Sequence, residues 1–394
     1  MVYDIFMCPE RKENILSMER KMSKEEICTH YADDPSRYMG AVNPPIFQSS
    51  LFTQVEGNPG WGYTRCANPT TDIVEQKIAA LENGEACVAF SSGMAAISSA
   101  ILHHLKKDCH IVAVASSYGP ARTFMQNYMD RFGVEVTFIT GSDPQEIEDA
   151  IKPNTTLIYL ESPSSMLFII QDLAKIAEIA KKHGIHTVID NSYCTPIFQN
   201  PLDYGIDMVV HTASKYLGGH SDIVAGVVVG KKEDISEIQH RERELLGAVQ
   251  SPFDSFLMLR GVRTLATRMK THFANAMEMA DWFSKQEIVK EVIYPYHPSH
   301  PQYELAKKQM SGACGLMSLV LDLPGDKMDQ LGKELRCFHV GPSWGGYECM
   351  YIAAGAHLTE DNATCKKGLA RVHIGQEDTD LLKEDWETAL KKVL

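Results

Sequence analysis

The stretch HTASKYLGGHSD (211–222) sets Lys215 directly behind the apolar run DMVVH, with Thr212 and Ser214 before it and two glycines after it. Open α/β sheets bind ligands at the carboxyl ends of their strands. A lysine held in such a crevice has its ammonium form disfavoured and becomes a nucleophile or Schiff-base former. A Ser-Lys pair alone more often marks a solvated loop, where most lysines lie. Asp190 shifts that balance, because it closes the apolar run IHTVID, precedes Asn191 and falls at the same strand-terminal edge. Strand-end aspartates commonly do no more than shape a turn. A pyridine-based cofactor, however, needs an anion against its ring nitrogen, since only the protonated ring draws electrons from a carbanion.

Further candidates surround this pair. VAFSSGMAAISSAI (88–101) passes from a short apolar segment through Ser-Ser-Gly into an Ala-rich helical pattern, leaving the backbone amides of Gly93 and Met94 at a helix start. Such amides bind anions, although a small-residue turn packing a helix on a sheet reads the same way. The hydroxyls of Ser214 and Thr212 stand close to the lysine in sequence. GYTRCANPT (62–70) offers Tyr63 and Arg65, a phenol and a guanidinium fork suited to a phosphate dianion. Tyr118 follows the apolar run HIVAVA, where its ring either covers a planar cofactor or edges a core. Near the C-terminus, HVGPSWGGYE (339–348) carries Ser343 and Trp344. ARVHIGQED (370–378) carries Arg371, a grip for a substrate carboxylate or a member of an ordinary ion pair. Neither Gly-x-Gly-x-x-Gly nor the Walker A pattern occurs, and the ten cysteines include no Cys-x-x-Cys pair.

The elements that must position these residues are legible as alternation. Six short apolar runs, HIVAVA (110–115), VEVTFI (134–139), TLIYLE (156–161), IHTVID (185–190), DMVVH (207–211) and IVAGVVV (223–229), are separated mostly by helical patterns such as TDIVEQKIAALENG and QDLAKIAEIAKKH. Near-continuous apolar strands alternating with helices predict a mostly parallel sheet covered on both faces, an α/β domain over 61–255. Beyond it, long helices (256–284), the strand GLMSLVLD (315–322) and a final amphipathic helix after Thr379 predict a smaller α+β domain over 256–394. Residues 1–60, charged and then rich in Gly and Pro, read as an arm with loops that packs on something else.

The 394 residues suffice for about two domains. With 38 Lys plus Arg against 51 Asp plus Glu, a net charge of −13, the chain offers nucleic acid or an anionic membrane surface no general attraction. No apolar window reaches the length of a membrane span. The mixed charges of the first residues suit neither a secretory signal nor a transit peptide, so the expected location is the cytoplasm.

Taken together, YTRCANPT, SSGMAA, Asp190-Asn191 and SKYLGGHSD resemble the cysteine/methionine-metabolism family of pyridoxal-phosphate enzymes, from about residue 40 to the C-terminus. The resemblance implies the aspartate-aminotransferase-like fold (PLP fold type I), with a mostly parallel seven-stranded sheet. It also implies pyridoxal 5'-phosphate held by Lys215, which later shuttles the substrate α-proton. Asp190 would pair with the pyridinium, and Gly93, Met94, Thr212 and Ser214 would bind the cofactor. Tyr63 and Arg65 would come from a neighbouring subunit in a homotetramer built as a dimer of dimers, with residues 1–60 contacting that neighbour. Tyr118 would stack on the ring and assist proton movement. Arg371 and Ser343 would hold the substrate carboxylate, and Trp344 would line its pocket.

LESPSS (160–165), SWGGYE (343–348) and RVHIGQED (371–378) resemble the bacterial β-lyases that cleave cystathionine. Ser165-Met166 stand where γ-acting members carry Asn-Pro, and Pro120 stands where methionine γ-lyases carry a cysteine. YTRCANPT, by contrast, is the form common to the γ-acting members. The implied activity is α,β-elimination of cystathionine, or of a related sulfur amino acid such as cysteine, to homocysteine, pyruvate and ammonia. The alternatives are a γ-acting relative and a non-catalytic regulatory protein of the same fold. A hydrolase using Cys66 or Cys194 with a histidine is a third, for which no local nucleophile signature stands.

Overall fold

The computed structural model describes residues 21–56, 58 and 60–394, so the first twenty residues of the expected arm lie outside the described residues. Seven strands form the larger sheet: β1 (Ala86–Phe90), β2 (His110–Val114), β3 (Glu135–Ile139), β4 (Thr155–Glu161), β5 (His186–Asp190), β6 (Met208–His211) and β7 (Gly226–Gly230). Their order is β1-β7-β6-β5-β4-β2-β3. Strands β3, β2, β4, β5 and β6 pair in parallel, and β7 runs antiparallel to both of its neighbours. The mostly parallel seven-stranded sheet is therefore present. Its seventh member is β1, within the apolar segment that leads into Ser-Ser-Gly.

The inner strands are near-continuously apolar because both faces are covered, whereas the edge strand β3 (EVTFI) is only half-buried. Val88, Leu157, Tyr159, Val188, Val210 and Val228 pack on one side with Ala96, Ile97, Ala100 and Ile101 of the helix Gly93–His103. On the other side Ile158, Leu160, Ile189, Val209 and Val227 meet the helices Pro69–Leu81 and Leu173–His183. Local signals set these helices. Asn68 caps the first, with Pro69 in its first turn. Asp172 caps the second, which ends on Gly184 in the left-handed conformation at φ 65°.

The C-terminal part holds a second sheet, β10-β11-β12-β9-β8, from β8 (Val289–Ile293), β9 (Leu316–Leu321), β10 (Phe338–Val340), β11 (Cys349–Ile352) and β12 (Leu369–His373). The long helical stretch is two helices, Pro252–Arg263 and Leu265–Phe283, meeting at Thr264. The final helix Thr379–Val393, capped by Asp378, buries Trp386 edge-on against Phe283, Phe338 and Tyr351. Truncating so buried a ring costs about 3–5 kcal/mol, so the helix is part of this core.

In the N-terminal segment, the short helix Lys24–His30 carries a Ser23/Glu26 capping box and buries Ile27 and Cys28. Its Lys24 Nζ donates to the carbonyl of Pro196 and to Asn200 Oδ1, while Asp33 pairs with buried Lys77 and with Arg263. Those contacts are within the chain. Met39, Val42, Leu51 and Val55 stay exposed.

Candidate active site

The carboxyl ends of β4, β5 and β6 meet the loop between β10 and β11 around a cavity of about 370 Å³. Ten of the residues singled out in sequence line it: Gly93, Met94, Tyr118, Asp190, Thr212, Ser214, Lys215, Ser343, Trp344 and Arg371. Lys215 follows β6 by four residues. Its Nζ donates to Ser343 Oγ at 2.8 Å and stands 5.2 Å from the centre of the Trp344 ring. Burial, reinforced by the positive charge of Arg371, lowers the Lys215 ammonium to about 8, and Asp190 opposes that shift. A lysine so placed is still mostly ammonium at neutral pH but releases its proton far more readily than an exposed lysine.

Asp190 ends β5, and its Oδ1 accepts from the backbone N–H and the hydroxyl of Ser192 at 2.9 and 2.5 Å. Ser192 Oγ in turn accepts from the Thr212 N–H at 2.7 Å, which locks the β5 and β6 ends together. The other carboxyl oxygen of Asp190 has no partner among the described residues. Burial raises this carboxyl despite the Ser192 bonds and the nearby charges of His211 and Lys215. A cationic ring nitrogen against the open oxygen would supply the missing counter-charge. Beneath, on the opposite face, the side chains of Asn191 and His211 converge on Glu82 Oε1 at 2.8 and 2.6 Å and fix the turn after β5.

The helix start at Gly93 forms an anion cradle. Ser92 Oγ accepts from Ala95 N–H, whereas the amides of Gly93 and Met94 have no acceptor among the described residues. Gly93 lies against the Thr212 side chain, so closely that a Cβ there would collide with it. Ser214 reaches the cavity, but its hydroxyl also bonds the backbone of Ala225, accepting at 2.9 Å and donating at 3.2 Å. Open amides, an open carboxylate oxygen and a desolvated amine together fit pyridoxal 5'-phosphate at its phosphate, its ring nitrogen and its aldehyde.

The side chain of Arg371, on β12, donates from Nη2 to the Pro342 carbonyl at 2.5 Å. Burial lowers the guanidinium to about 10, which leaves it charged at neutral pH. Tyr118, 43% exposed, stands at the cavity's lip. Tyr63 and Arg65 do not line this cavity. Tyr63 is 47% exposed, and Arg65 lies 5.5 Å from its ring and donates to the carbonyl of Glu244. Cys66 and Cys194 are likewise absent from the lining. Burial raises both thiols, that of Cys194 strongly, so neither suits nucleophilic catalysis.

Among the lining residues that were not singled out in sequence, Glu161 and Ser192 bond the site's own polar groups. Glu161 ends β4 in register with Asp190. Its Oε2 accepts from the Tyr118 N–H at 2.7 Å, and its Oε1 accepts from Ser165 Oγ at 2.5 Å. Burial and the Asp190 carboxylate beside it push Glu161 upward. The strand-end argument that found Asp190 applies equally to the final Glu of TLIYLE. Ser192 carried no signal beyond following Asp-Asn.

The α/β fold and the residues at the carboxyl edge of the larger sheet fit a pyridoxal-phosphate enzyme. The chain belongs to the Cys/Met metabolism PLP-dependent enzyme family, whose model matches residues 26–391. It is 38% identical over 380 residues to the L-methionine gamma-lyase of Treponema denticola, covering 90% of this chain and 94% of that one. It is also 38% identical to the cystathionine beta-lyase of Coxiella burnetii, covering 92% and 96%. With the cystathionine gamma-lyase of Bacillus subtilis it shares 37%, over 94% and 100%. The crystal structure of metB from Corynebacterium glutamicum superposes with a TM-score of 0.91 at 32% identity, covering 95% of this chain and 99% of that one. No helix among the described residues is long and apolar enough to cross a membrane.

Proposed function

We propose that this enzyme cleaves a carbon–sulfur bond of a sulfur amino acid in the cytoplasm, by α,β-elimination of cystathionine or a close analogue. The observation that carries the reading is the desolvated Lys215 amine, which faces Ser343 across the cavity where a substrate α-carbon would lie. Both oxygens of Glu161 already accept hydrogen bonds and Asp190 serves the ring nitrogen, so Lys215 is left to take a proton. β-Elimination asks for that one deprotonation and γ-elimination for another at the β-carbon, which the same base can perform in turn, so the preference for β-cleavage rests on the three β-lyase-like stretches.

When bound, pyridoxal phosphate supplies the electron sink for a carbanion at the substrate α-carbon. The chain's own groups do the rest. Arg371 and Ser343 hold the carboxylate, which turns the α-hydrogen toward Lys215 Nζ. Lys215 removes that proton, and the thiolate departs from the β-carbon. Trp344 walls the pocket, and the Tyr118 ring would lie over the bound cofactor and assist proton movement. The Gly93 and Met94 amides with Thr212 and Ser214 would hold the phosphate, completed by Tyr63 and Arg65 of a neighbouring subunit. The exposed Met39, Val42, Leu51 and Val55 form part of that contact, in a homotetramer built as a dimer of dimers.

The similarity to methionine and cystathionine gamma-lyases favours a second reading, γ-elimination at the same site. Identifying the keto acid released from cystathionine decides between them. Pyruvate with homocysteine supports β-cleavage. 2-Oxobutyrate with cysteine moves the enzyme to the γ-acting branch, and no keto acid from any sulfur amino acid would sink the lyase reading.

A further inference from the structure

We infer that His373 is a positioning residue that holds the Ser343–Gly345 segment in place for capture of the substrate carboxylate. His373 lies two residues beyond Arg371 on β12, so both side chains project from the same face of the strand. Between them they grip the loop that joins β10 to β11. Arg371 takes the carbonyl of Pro342 at its start. The imidazole Nε2 of His373 accepts from the Gly345 N–H at 3.2 Å, and Nδ1 meets the carbonyl of Glu348, at the loop's end, at 2.9 Å.

These partners leave one arrangement of protons. A backbone N–H donates to Nε2, so Nε2 is bare; the neutral ring then carries its proton on Nδ1 and donates it to Glu348. The Tyr216 hydroxyl, 3.0 Å away, also donates to Nε2, and its oxygen accepts from the Gly315 N–H at 2.9 Å. Burial keeps the ring neutral well below the ordinary histidine range. The loop therefore rests on an acceptor anchored from behind by a tyrosine next to Lys215 in the chain.

The consequence reaches the reacting groups. Gly345, at φ 84°, packs so tightly on Lys215 that an added Cβ would stand 2.9 Å from the Lys215 Cβ. Ser343 and Trp344, the two residues before it, are the ones that meet the Lys215 ammonium. A substrate carboxylate competes with the Pro342 carbonyl for Arg371. At that moment the His373 bond to Gly345 is what keeps Ser343 in position.

The inference rests on the reading of Arg371 and Ser343 as the carboxylate site, and the test separates the two. In the apoprotein of His373→Ala, amide hydrogen exchange at Gly345 should quicken by about tenfold, the worth of roughly one hydrogen bond. In the holoenzyme, KM should rise by a similar factor while kcat stays within about threefold. His373→Gln, whose side-chain oxygen and amide can replace Nε2 and Nδ1, should restore both. Exchange and KM unchanged in His373→Ala would overturn the inference. So would failure of both variants to fold, because the ring would then be a core support and no loop clamp. If His373→Ala alone fails to fold, the comparison of His373→Gln with His373→Met decides: Met should show the loss and Gln should not, and equal values overturn the inference. Arg371→Lys is the control. If it too leaves KM unmoved, the carboxylate reading itself has failed; if it raises KM while His373→Ala does not, only the clamp has.

Discussion

The half of the cavity built by the seven-stranded sheet carries its charged groups on or just after the ends of parallel strands, whereas the half built by the five-stranded sheet sets Arg371 on β12 and the uncharged Ser343 and Trp344 on a loop. Glu161 and Asp190 are in register at the ends of β4 and β5, and Lys215 follows β6 by four residues. The two carboxylates are held from their own side, Asp190 by Ser192, Ser192 by Thr212 and Glu161 by Tyr118 and Ser165, whereas Lys215 bonds across the cavity to Ser343. Ser343 and Trp344 belong instead to a segment whose backbone is gripped by Arg371 and His373 of β12. Parallel strand ends would make a rigid electrostatic floor for the proposed cofactor site, and a clamped loop a wall that substrate binding could load.

This contrast can be broken by mutation, beginning where the effect is greatest. Lys215→Ala should abolish steady turnover, with a loss of at least about 10²–10⁴-fold, the worth of a positioned base. It should also remove the visible absorbance of the lysine-bound cofactor; a retained band would place the attachment elsewhere. Asp190→Ala should lower kcat by about 10²–10³-fold yet leave most of the cofactor bound, as measured by its release on denaturation. Equal loss of cofactor and rate would show that the floor acts as an anchor and not as an electron-sink control.

On the wall, Arg371→Ala should raise KM by roughly 10–100-fold, the worth of a charge-assisted pair, with a smaller change in kcat. A change confined to kcat would contradict the division between the halves. Glu161→Gln turns an NH₂ toward one of two donors, Tyr118 N–H or Ser165 O–H. It should cost about five- to tenfold in kcat/KM through the placement of Tyr118. Parity with the parent enzyme would remove Glu161 from the working floor.

The smallest effect couples the halves. Cofactor capture by the apoprotein requires the uncharged Lys215 amine, so its rate should rise with pH and level off above about 8. Arg371→Ala removes a positive neighbour, which favours the ammonium and should move the midpoint upward by less than about one unit. A downward move would mean that the charge of Arg371 does not reach Lys215.

Several features were legible because they are local. The six apolar runs from HIVAVA to IVAGVVV correspond to β2–β7 because a strand covered on both faces is apolar at nearly every position, and even the half-buried edge strand β3 keeps Val136, Phe138 and Ile139. Lys215 and Asp190 were found because a polar residue at the end of such a run is conspicuous. Glu161 was open to the same logic, but a Glu at a strand end has many ordinary uses. The antiparallel pairing of β7 with β1 and β6 had no signature, because direction in a sheet depends on connections and leaves the composition of the strand unchanged.

The sequence by itself determined the alternation of strands and helices, the lysine and aspartate at strand ends, and the family to which the chain belongs, since these rest on periodicity and on contiguous motifs. Only the tertiary structure decided that Arg371 and Ser343 face Lys215, that Glu161 holds Tyr118, and that His373 reaches Gly345 and Tyr216. Those pairs are separated by 28 to 157 residues in the sequence. Their meeting depends on how two sheets pack, and an imidazole on β12 acquires a role only when a loop amide is brought to its bare nitrogen.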